Sequence, residues 1–180
     1  MRTSLTGVLH HGVVHTGHKK LGFDPIDEAA RQWGLRWDAV DQMHAVTSLM
    51  RVQQLVLAQL DEILRPHGLT FARYEALVLL TFSRNGSLPL GKMGERLQVH
   101  PTSVTSIVDR LEAAGHVVRR RHPADGRTVL AEITDSGRNV VEAATADLVS
   151  ARFALGGVSP ERLRELSDLL RPVREAAGDF

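Results

Sequence analysis

Residues 99–134 combine a helical repeat with two strand-like segments that follow it closely, and this order restricts the folds open to the chain. Apolar residues recur at spacings of three and four, which places them on one stripe of a helix that can pack onto a core: Val104, Ile107, Val108, Leu111 and Ala114. His100 and Pro101 begin the helix, because proline at the first helical position gives up only a donor that would be unpaired there. Gly115 ends it with a left-handed cap. The segment therefore predicts a helix with one side on a core.

The opposite side of this predicted helix carries Thr102, Ser103, Ser106 and Arg110. Short hydrogen-bonding groups with a single cation one turn further on suit a helix whose first turns lie against base edges in the major groove of DNA. We assign the first three residues to base edges and Arg110 to a phosphate. An ordinary surface helix with a polar side has the same pattern, so the helix alone does not decide between the two interpretations.

The residues after Gly115 favour the DNA interpretation. Val117 and Val118 lead into an arginine run, and residues 128–133 form a second strand-like segment after a Pro-Ala-Asp-Gly turn. Arg120 and Arg121 are predicted to contact phosphates. Arg127 is expected at the hairpin tip, where an arginine suits a narrow minor groove, with Asp125 to orient it or partly neutralise it. A solvated basic turn is the alternative. Helix and hairpin together predict a winged helix-turn-helix that binds duplex DNA.

Two stretches of the chain resemble the MarR family of bacterial transcription regulators. They are LTFARYEALVLL at 69–80 and HPTSVTSIVDRLEAAGHVVRRRHPADGRTVLAEITDSGR at 100–138, in which Asp-Gly-Arg at 125–127 is similar to the family's wing motif and Thr-Asp-Ser-Gly-Arg at 134–138 to its return into a C-terminal helix. The resemblance covers about residues 38–176. It implies a dimeric winged-helix repressor whose affinity for DNA is changed by a small ligand or by oxidation.

Charge and composition agree with this interpretation. The net charge is only +1, but residues 69–134 hold nine lysine and arginine residues against six acidic ones, a net +3, whereas 24–68 carry −3 and 135–180 carry −2. The chain has no cysteine, which rules out a thiol switch. No apolar run is long enough to span a membrane and no signal sequence is recognised, so we expect a cytoplasmic protein without membrane partners.

The chain divides into four segments. Residues 1–23 form a His- and Gly-rich lead, predicted to be a flexible tail; His10, His11, His15 and His18 leave divalent metal binding open. Residues 24–68 hold an added helix at 24–37, which begins at Asp24-Pro25, and a long helix at about 38–65 whose apolar face predicts burial on more than one side. Residues 69–134 form the DNA-binding lobe. Residues 135–180 form C-terminal helices.

The last predicted helix begins at Ser159 and carries an apolar seam, which consists of Leu163, Leu166, Leu170 and Val173. Such a seam requires a partner helix, which we expect from a second subunit, although the seam could instead close the core of its own chain. The predicted fold class is therefore mainly α with a small β-hairpin: a winged helix-turn-helix with a helical dimerisation lobe built from both termini. Dimer symmetry matches a palindromic site on DNA.

The added N-terminal helix bears on the question of a ligand. The chain resembles the MarR branch with such a helix, which includes urate-responsive repressors and the regulator of trans-aconitate methyltransferase. This resemblance implies a ligand site that consists of Trp33, Glu75 and Arg119. In this site Glu75 would be a buried acid beside Arg119. Ser106 replaces the recognition-helix arginine of the urate binders, which leaves another small carboxylate or an antibiotic-like molecule open. Simple packing of Trp33, and a salt bridge from Glu75 to Arg51, Arg73 or Arg119, are the alternatives.

The sequence thus predicts a sequence-specific, DNA-binding transcription regulator, with no cofactor and no catalytic or metal-binding residues. We expect a homodimeric repressor that binds a palindromic operator and is released by a small anionic or aromatic ligand. A metal-dependent enzyme that uses the histidines is the alternative from another class. Against this alternative, the sequence has no His-x-x-x-His pair on a predicted helix, no Gly-rich phosphate loop and no nucleophile elbow. A constitutive DNA-packaging protein, with no preference for one palindrome, is the second alternative.

Overall fold

A computed structural model describes residues 21–180, which fall into two compact units with the boundary between Gln59 and Leu60. The histidines of the predicted tail lie outside the described residues.

The first unit begins with helix α1, Pro25–Gly34. Asp24 starts it as predicted, because its carboxylate accepts the N–H of Ile26 at 2.8 Å. The helix ends earlier than the predicted 24–37. Because α1 ends at Gly34, Trp37 belongs to the loop after it. The indole N–H of Trp33 donates to the carbonyl of Asp38 in this loop at 2.8 Å, and the Trp33 ring lies 4.8 Å from the Trp37 ring.

The long helix α2, Val40–Leu64, follows and has an uncovered apolar face. Only Leu60 and Leu64, in its last turns, are buried. The prediction of burial on more than one side is therefore wrong for a single chain. Large apolar side chains are exposed over the first five turns: Val46, Leu49, Met50, Val52, Leu55 and Leu57.

The second unit has a helical layer and a small sheet. Its helices are α3 Phe71–Phe82, α4 Leu90–Leu97, α5 Pro101–Ala113, α6 Asp135–Ser150 and α7 Pro160–Ala176, with short 3-10 turns at Arg65–His67, Arg84–Gly86 and Arg152–Ala154. Its strands are β1 Ser87–Pro89, β2 Val117–His122 and β3 Asp125–Ile133, paired antiparallel in the order β1-β3-β2. The mainly helical fold class with a small hairpin is confirmed. The C-terminal helices predicted for residues 135–180 are α6 and α7, with a 3-10 turn between them.

The core of the second unit lies between the sheet and helices α3 to α6. Alternate residues of β3, Ala131 and Ile133, point into it, as expected for a strand with one buried face. The helices contribute aliphatic side chains and one methionine at three- and four-residue spacings. The fully buried residues of the core are Leu64, Leu77, Leu80, Met93, Val104, Val108, Leu111 and Leu148 from the helices and Val117 from β2.

One junction fixes the end of α5, the start of β2 and the start of α6. The hydroxyl of Thr134 donates to the carbonyl of Gly115 at 2.8 Å and accepts the N–H of Gly137 at 3.0 Å. A Cβ on Gly137 would lie 2.2 Å from the carbonyl oxygen of His116. The backbone therefore approaches so closely here that only glycine fits.

Candidate nucleic-acid interface

Helices α4 and α5 form a helix-turn-helix. Gln98 ends α4 in the left-handed region at φ 52°, and the N–H of Val99 donates to the carbonyl of Gly94 at 3.2 Å. A Cβ on Gly94 would lie 3.3 Å from Cγ2 of Val104, so the glycine lets the two helices pack closely. The Nδ1 of His100 then accepts the N–H of Thr102 at 3.3 Å and caps the start of α5. The turn of three residues sets the direction of α5.

The inner face of α5 confirms the predicted stripe in its first three turns. Val104, Val108 and Leu111 are buried, and Ile107 is half-buried. Ala114 is exposed, because the helix ends at Ala113 and the chain turns away there. Its place in the core-facing stripe was predicted wrongly.

The outer face of α5 presents Thr102, Ser103, Ser106 and Arg110, and all four are exposed. The hydroxyl of Thr102 contacts the His100 ring, so it is partly engaged at the cap. No hydrogen bond engages the hydroxyls of Ser103 and Ser106 within residues 21–180. Two short donors and acceptors on the same face are thus left for a partner.

The wing is a hairpin with a tighter turn than the sequence predicts. His122 pairs with Asp125, so only Pro123 and Ala124 form the turn. The arginine run 119–121 therefore lies in strand β2, and the turn predicted over Pro-Ala-Asp-Gly is reduced to its first two residues. Arg127 is the third residue of β3 and does not lie at the tip. The turn is short because β2 and β3 continue to pair as far as His122 and Asp125. Residues that were expected in the turn or at its tip therefore belong to the strands.

Asp125 orders the start of β3. One carboxylate oxygen accepts the N–H of Arg127 at 3.1 Å and the other accepts the hydroxyl of Thr128 at 2.7 Å. These hydrogen bonds, the one from Thr128 first, hold the pKa of Asp125 below its ordinary value. Asp125 thus orients the backbone of Arg127. Among the described residues no carboxylate lies within 4 Å of the Arg127 guanidinium, so the expected neutralisation is not found.

The three arginines of β2 have different surroundings. Arg120 is exposed and lies 3.8 Å from Glu132 on β3, which is a loose pair. Arg121 is exposed on the same strand. Both side chains can reach a phosphate without breaking a close contact.

Arg119 is instead clasped by two acids of α5. Its Nη2 lies 2.5 Å from Oδ1 of Asp109, its Nη1 contacts the carboxylate of Glu112, and its backbone N–H donates to Glu112 at 3.0 Å. Hydrogen bonds from the backbone and the side chain of Arg119 lower the pKa of Glu112. Asp109 and Glu112 are three residues apart on one helix face, so both reach the base of the wing. Sequence reasoning missed this clasp, although the i, i+3 spacing of the acids was visible.

Glu75 is exposed and does not pair with Arg119, so the expected buried acid beside this arginine is not found, while the assignment of Glu75 to a ligand site stays a prediction. Glu75 lies on α3 with its side chain at the surface, and partial loss of hydration raises its pKa. It forms no ion pair with Arg73 or Arg119 within the second unit. Trp33 belongs to the first unit, where its indole N–H is already bonded within its own loop. These contacts lie within the first unit, and the assignment of Trp33 to a ligand site stays a prediction.

Two further observations bear on the other classes of protein. Within residues 21–180, no three histidine or acidic side chains are grouped so that they could hold a metal ion. None of the helices described there combines the length and apolar character needed to cross a membrane.

A helix-turn-helix between β1 and the β2–β3 hairpin, with exposed polar groups on α5 and cations on the hairpin, defines a winged-helix DNA-binding lobe. The sequence model of the MarR family matches residues 67–128 of this lobe. Sco5413, a MarR family transcriptional regulator from Streptomyces coelicolor, is 57% identical and superimposes with a TM-score of 0.74 over 79% of this chain and 99% of that one.

Two other solved structures are similar at lower identity. Sco3205, a MarR family regulator from the same organism solved in complex with DNA, is 26% identical, with a TM-score of 0.70 over 78% of this chain and 90% of that one. BpsR from Bordetella bronchiseptica, whose DNA binding is regulated by 6-hydroxynicotinic acid, is 25% identical, with a TM-score of 0.64 over 71% of this chain and 90% of that one.

The chain spans about two thirds of the length of the curated mycobacterial regulators it matches. It belongs to the MarR family of DNA-binding transcriptional regulators and is a regulator, not an enzyme. The presence of α1 is consistent with the branch that has an added N-terminal helix, and membership of that branch remains a prediction.

Proposed function

We propose that the protein is a homodimeric repressor that binds a palindromic operator in the bacterial cytoplasm. The observation that carries this proposal is the outer face of α5. Ser103 and Ser106 are exposed there and their hydroxyls have no hydrogen-bond partner among the described residues, and the neighbouring wing carries Arg120, Arg121 and Arg127. Hydroxyls in a major groove can read base edges, while the arginines contact phosphates and the minor groove. The DNA complex of the similar Sco3205 supports the same use of the fold.

Apolar surface at both ends of the chain supports the homodimer. No residue of α7 is buried, and Leu166, Leu169 and Val173 are 42%, 72% and 59% exposed. In the first unit, the apolar face of α2 is exposed as well. Exposed apolar patches mark protein–protein interfaces, and a second copy of the same chain offers matching surfaces.

Footprinting on the DNA upstream of the protein's own gene tests the proposal. We expect protection of one palindrome with half-sites about 34 Å apart, or a multiple of that distance, because each subunit presents one recognition helix. Gel shifts should give a much higher affinity for this site than for random duplex. Equal affinity for every duplex would point to a DNA-packaging protein and would overturn the proposal. A reporter gene behind the palindrome should be expressed more strongly when the regulator is deleted.

A small anionic or aromatic ligand is proposed to release the DNA, as the regulation of the similar BpsR by 6-hydroxynicotinic acid suggests. Trp33, Glu75 and Arg119 remain the predicted ligand residues. A ligand that binds Arg119 has to displace the carboxylates of Asp109 and Glu112, which would loosen the base of the wing. The ligand must also favour a spacing of the recognition helices that does not match DNA.

Titrating urate, trans-aconitate, citrate, salicylate and 6-hydroxynicotinic acid, with tryptophan fluorescence and gel shift as measurements, tests this ligand response. An effector should bind more weakly to Trp33→Ala and Glu75→Ala variants. An effector whose affinity and effect on DNA are unchanged in both variants would show that these residues do not form the site.

A further inference from the structure

A cleft in the second unit lies between the start of α3 and the recognition helix α5. It has a volume of about 420 Å³ and is lined by Thr70, Arg73, Ser106, Ile107 and Arg110. Each of the two elements supplies one arginine and one hydroxyl residue. The two guanidinium groups and the two hydroxyls surround a space that is open at the surface, so the cleft suits a small anion with several acceptor oxygens.

The cations of this cleft are not neutralised. Nε of Arg73 donates to the hydroxyl of Thr70 at 3.2 Å, which orients the guanidinium and leaves its terminal nitrogens available. Within residues 21–180 no carboxylate lies within 4 Å of Arg73 or Arg110, in contrast to Arg119 with its two acids. Arg73 is also half-buried, so its position is restricted by its surroundings. Two arginines on one cleft, neither with a carboxylate partner among the described residues, favour a bound oxyanion.

We propose that this cleft binds one backbone phosphate of the operator. Ser106 belongs both to the cleft and to the face of α5 assigned to base edges, so a phosphate held here borders the groove that α5 enters. Phosphate contacts fix the register and depth of a recognition helix without reading sequence. Arg73 is then a DNA contact that the pattern of α5 and the wing does not reveal. This inference rests on the proposed function, and a free oxyanion has the same chemistry, so the test must separate these cases.

Arg73→Gln removes the charge at similar size. On the palindrome that the wild-type protein binds, we expect a loss of affinity on the order of 10-fold, a similar loss on random duplex, and a salt slope reduced by about one for each phosphate released. Arg164→Gln, on the side of α7 away from its apolar seam, makes the same change in net charge and should leave both quantities unchanged. Thermal unfolding and circular dichroism show whether each variant is folded, and Arg73→Lys should restore part of the affinity.

Neutral methylphosphonates placed one at a time along the operator locate the phosphate. A methylphosphonate at one position in each half-site should weaken DNA binding by the wild-type protein. The same methylphosphonate should not weaken binding by the Arg73→Gln variant any further. Additive losses at every position, or an Arg73→Gln variant that binds like the wild type, overturn the inference while the proposed function stands. A wild-type protein without any DNA binding overturns both.

Inorganic phosphate separates the two sources of the anion. At constant ionic strength, phosphate in place of chloride should compete with DNA for the wild-type protein and less for Arg73→Gln. Competition that depends on Arg73, combined with additive methylphosphonate effects, would assign the cleft to a free anion and overturn the assignment to the DNA backbone.

Discussion

Single residues of the recognition helix α5 divide into those that hold the lobe together and those left for a partner. Asp109 and Glu112 bind Arg119, and the His100 ring caps the first turn. Within residues 21–180 the hydroxyls of Ser103 and Ser106 make no hydrogen bond. Substitutions in the two groups should therefore affect stability and DNA recognition differently.

The serines should contribute to sequence choice and little to affinity for random DNA. Ser103→Ala and Ser106→Ala should each cost on the order of 1 to 3 kcal/mol of binding free energy on the cognate palindrome, because each removes a contact to a base edge. Random duplex should be bound almost as before. Ser150→Ala, which removes an exposed hydroxyl at the end of α6, is the matched control. Equal losses on cognate and random duplex would show that the two serines do not read bases.

Glu112→Gln tests the clasp of Arg119, because the loss of a negative charge and the loss of a contact that positions Arg119 should change DNA binding in opposite directions. Glu112→Gln removes a negative charge near the DNA-binding face, which by charge alone should strengthen binding. Because Glu112 also holds the backbone and side chain of Arg119, we expect several-fold weaker binding to cognate DNA and a lower Tm. Glu95→Gln on α4 removes the same charge without touching the wing and serves as the control. Stronger binding by Glu112→Gln would contradict a positioning role.

The carboxylate of Glu112 also predicts how the stability of the protein depends on pH. Its pKa is below the ordinary value of 4.5 in the folded protein, mainly through hydrogen bonds from Arg119. The clasp therefore contributes stability above that ordinary value, and the contribution is lost as the pH falls through the lowered pKa. Thermal unfolding between pH 7 and pH 3 should show a smaller acid-dependent loss of Tm in Glu112→Gln than in the wild-type protein. Parallel curves for the two proteins would exclude this contribution.

At the scale of elements, the winged lobe depends on the junction where α5, β2 and α6 meet. Gly137 is buried there against the carbonyl of His116. Thr134 bonds both to Gly115 and to Gly137, so the end of one helix and the start of another are tied together. The position of the wing relative to α5 is thus set by the backbone as well as by Arg119.

Gly137→Ala should distort this junction. The added methyl group would lie 2.2 Å from the His116 carbonyl oxygen, so backbone atoms have to move. We expect a loss of about 1 to 3 kcal/mol in the free energy of unfolding, which lowers the Tm on the order of 5 °C. Gly91→Ala is the matched control, because nothing lies within 4 Å of a Cβ there and alanine favours a helix. A Gly137→Ala variant as stable as the control would show that the junction yields easily.

At the scale of the whole molecule, uncovered apolar surface at both ends of the chain predicts a dimer. Leu166→Glu should place a carboxylate in the interface without a partner, at a cost of several kcal/mol of association free energy. Light scattering should then report a monomer or an aggregate. Residue 164 lies on nearly the opposite side of α7 from Leu166, so the Arg164→Glu variant should remain a dimer. A stable dimer of the Leu166→Glu variant would show that this leucine lies outside the interface.

The order of the elements could be predicted from the sequence, because local signals determine it. Three- and four-residue apolar spacing predicted α5, and Asp24 and Ser159 marked the starts of α1 and α7. These signals act between residues a few positions apart, so they need no knowledge of the fold. The polar face of α5 was predictable for the same reason, since burial of one helix face exposes the other.

The partners of long side chains were decided by the tertiary structure alone. Arg119 pairs with Asp109 and Glu112 because α5 turns back into β2, and no spacing rule distinguishes these acids from Glu75. The cleft between Arg73 and Arg110 requires residues about forty positions apart to meet at one surface. Helix periodicity and caps are local and can be read along the chain, whereas ion pairs and clefts depend on how elements are placed in three dimensions.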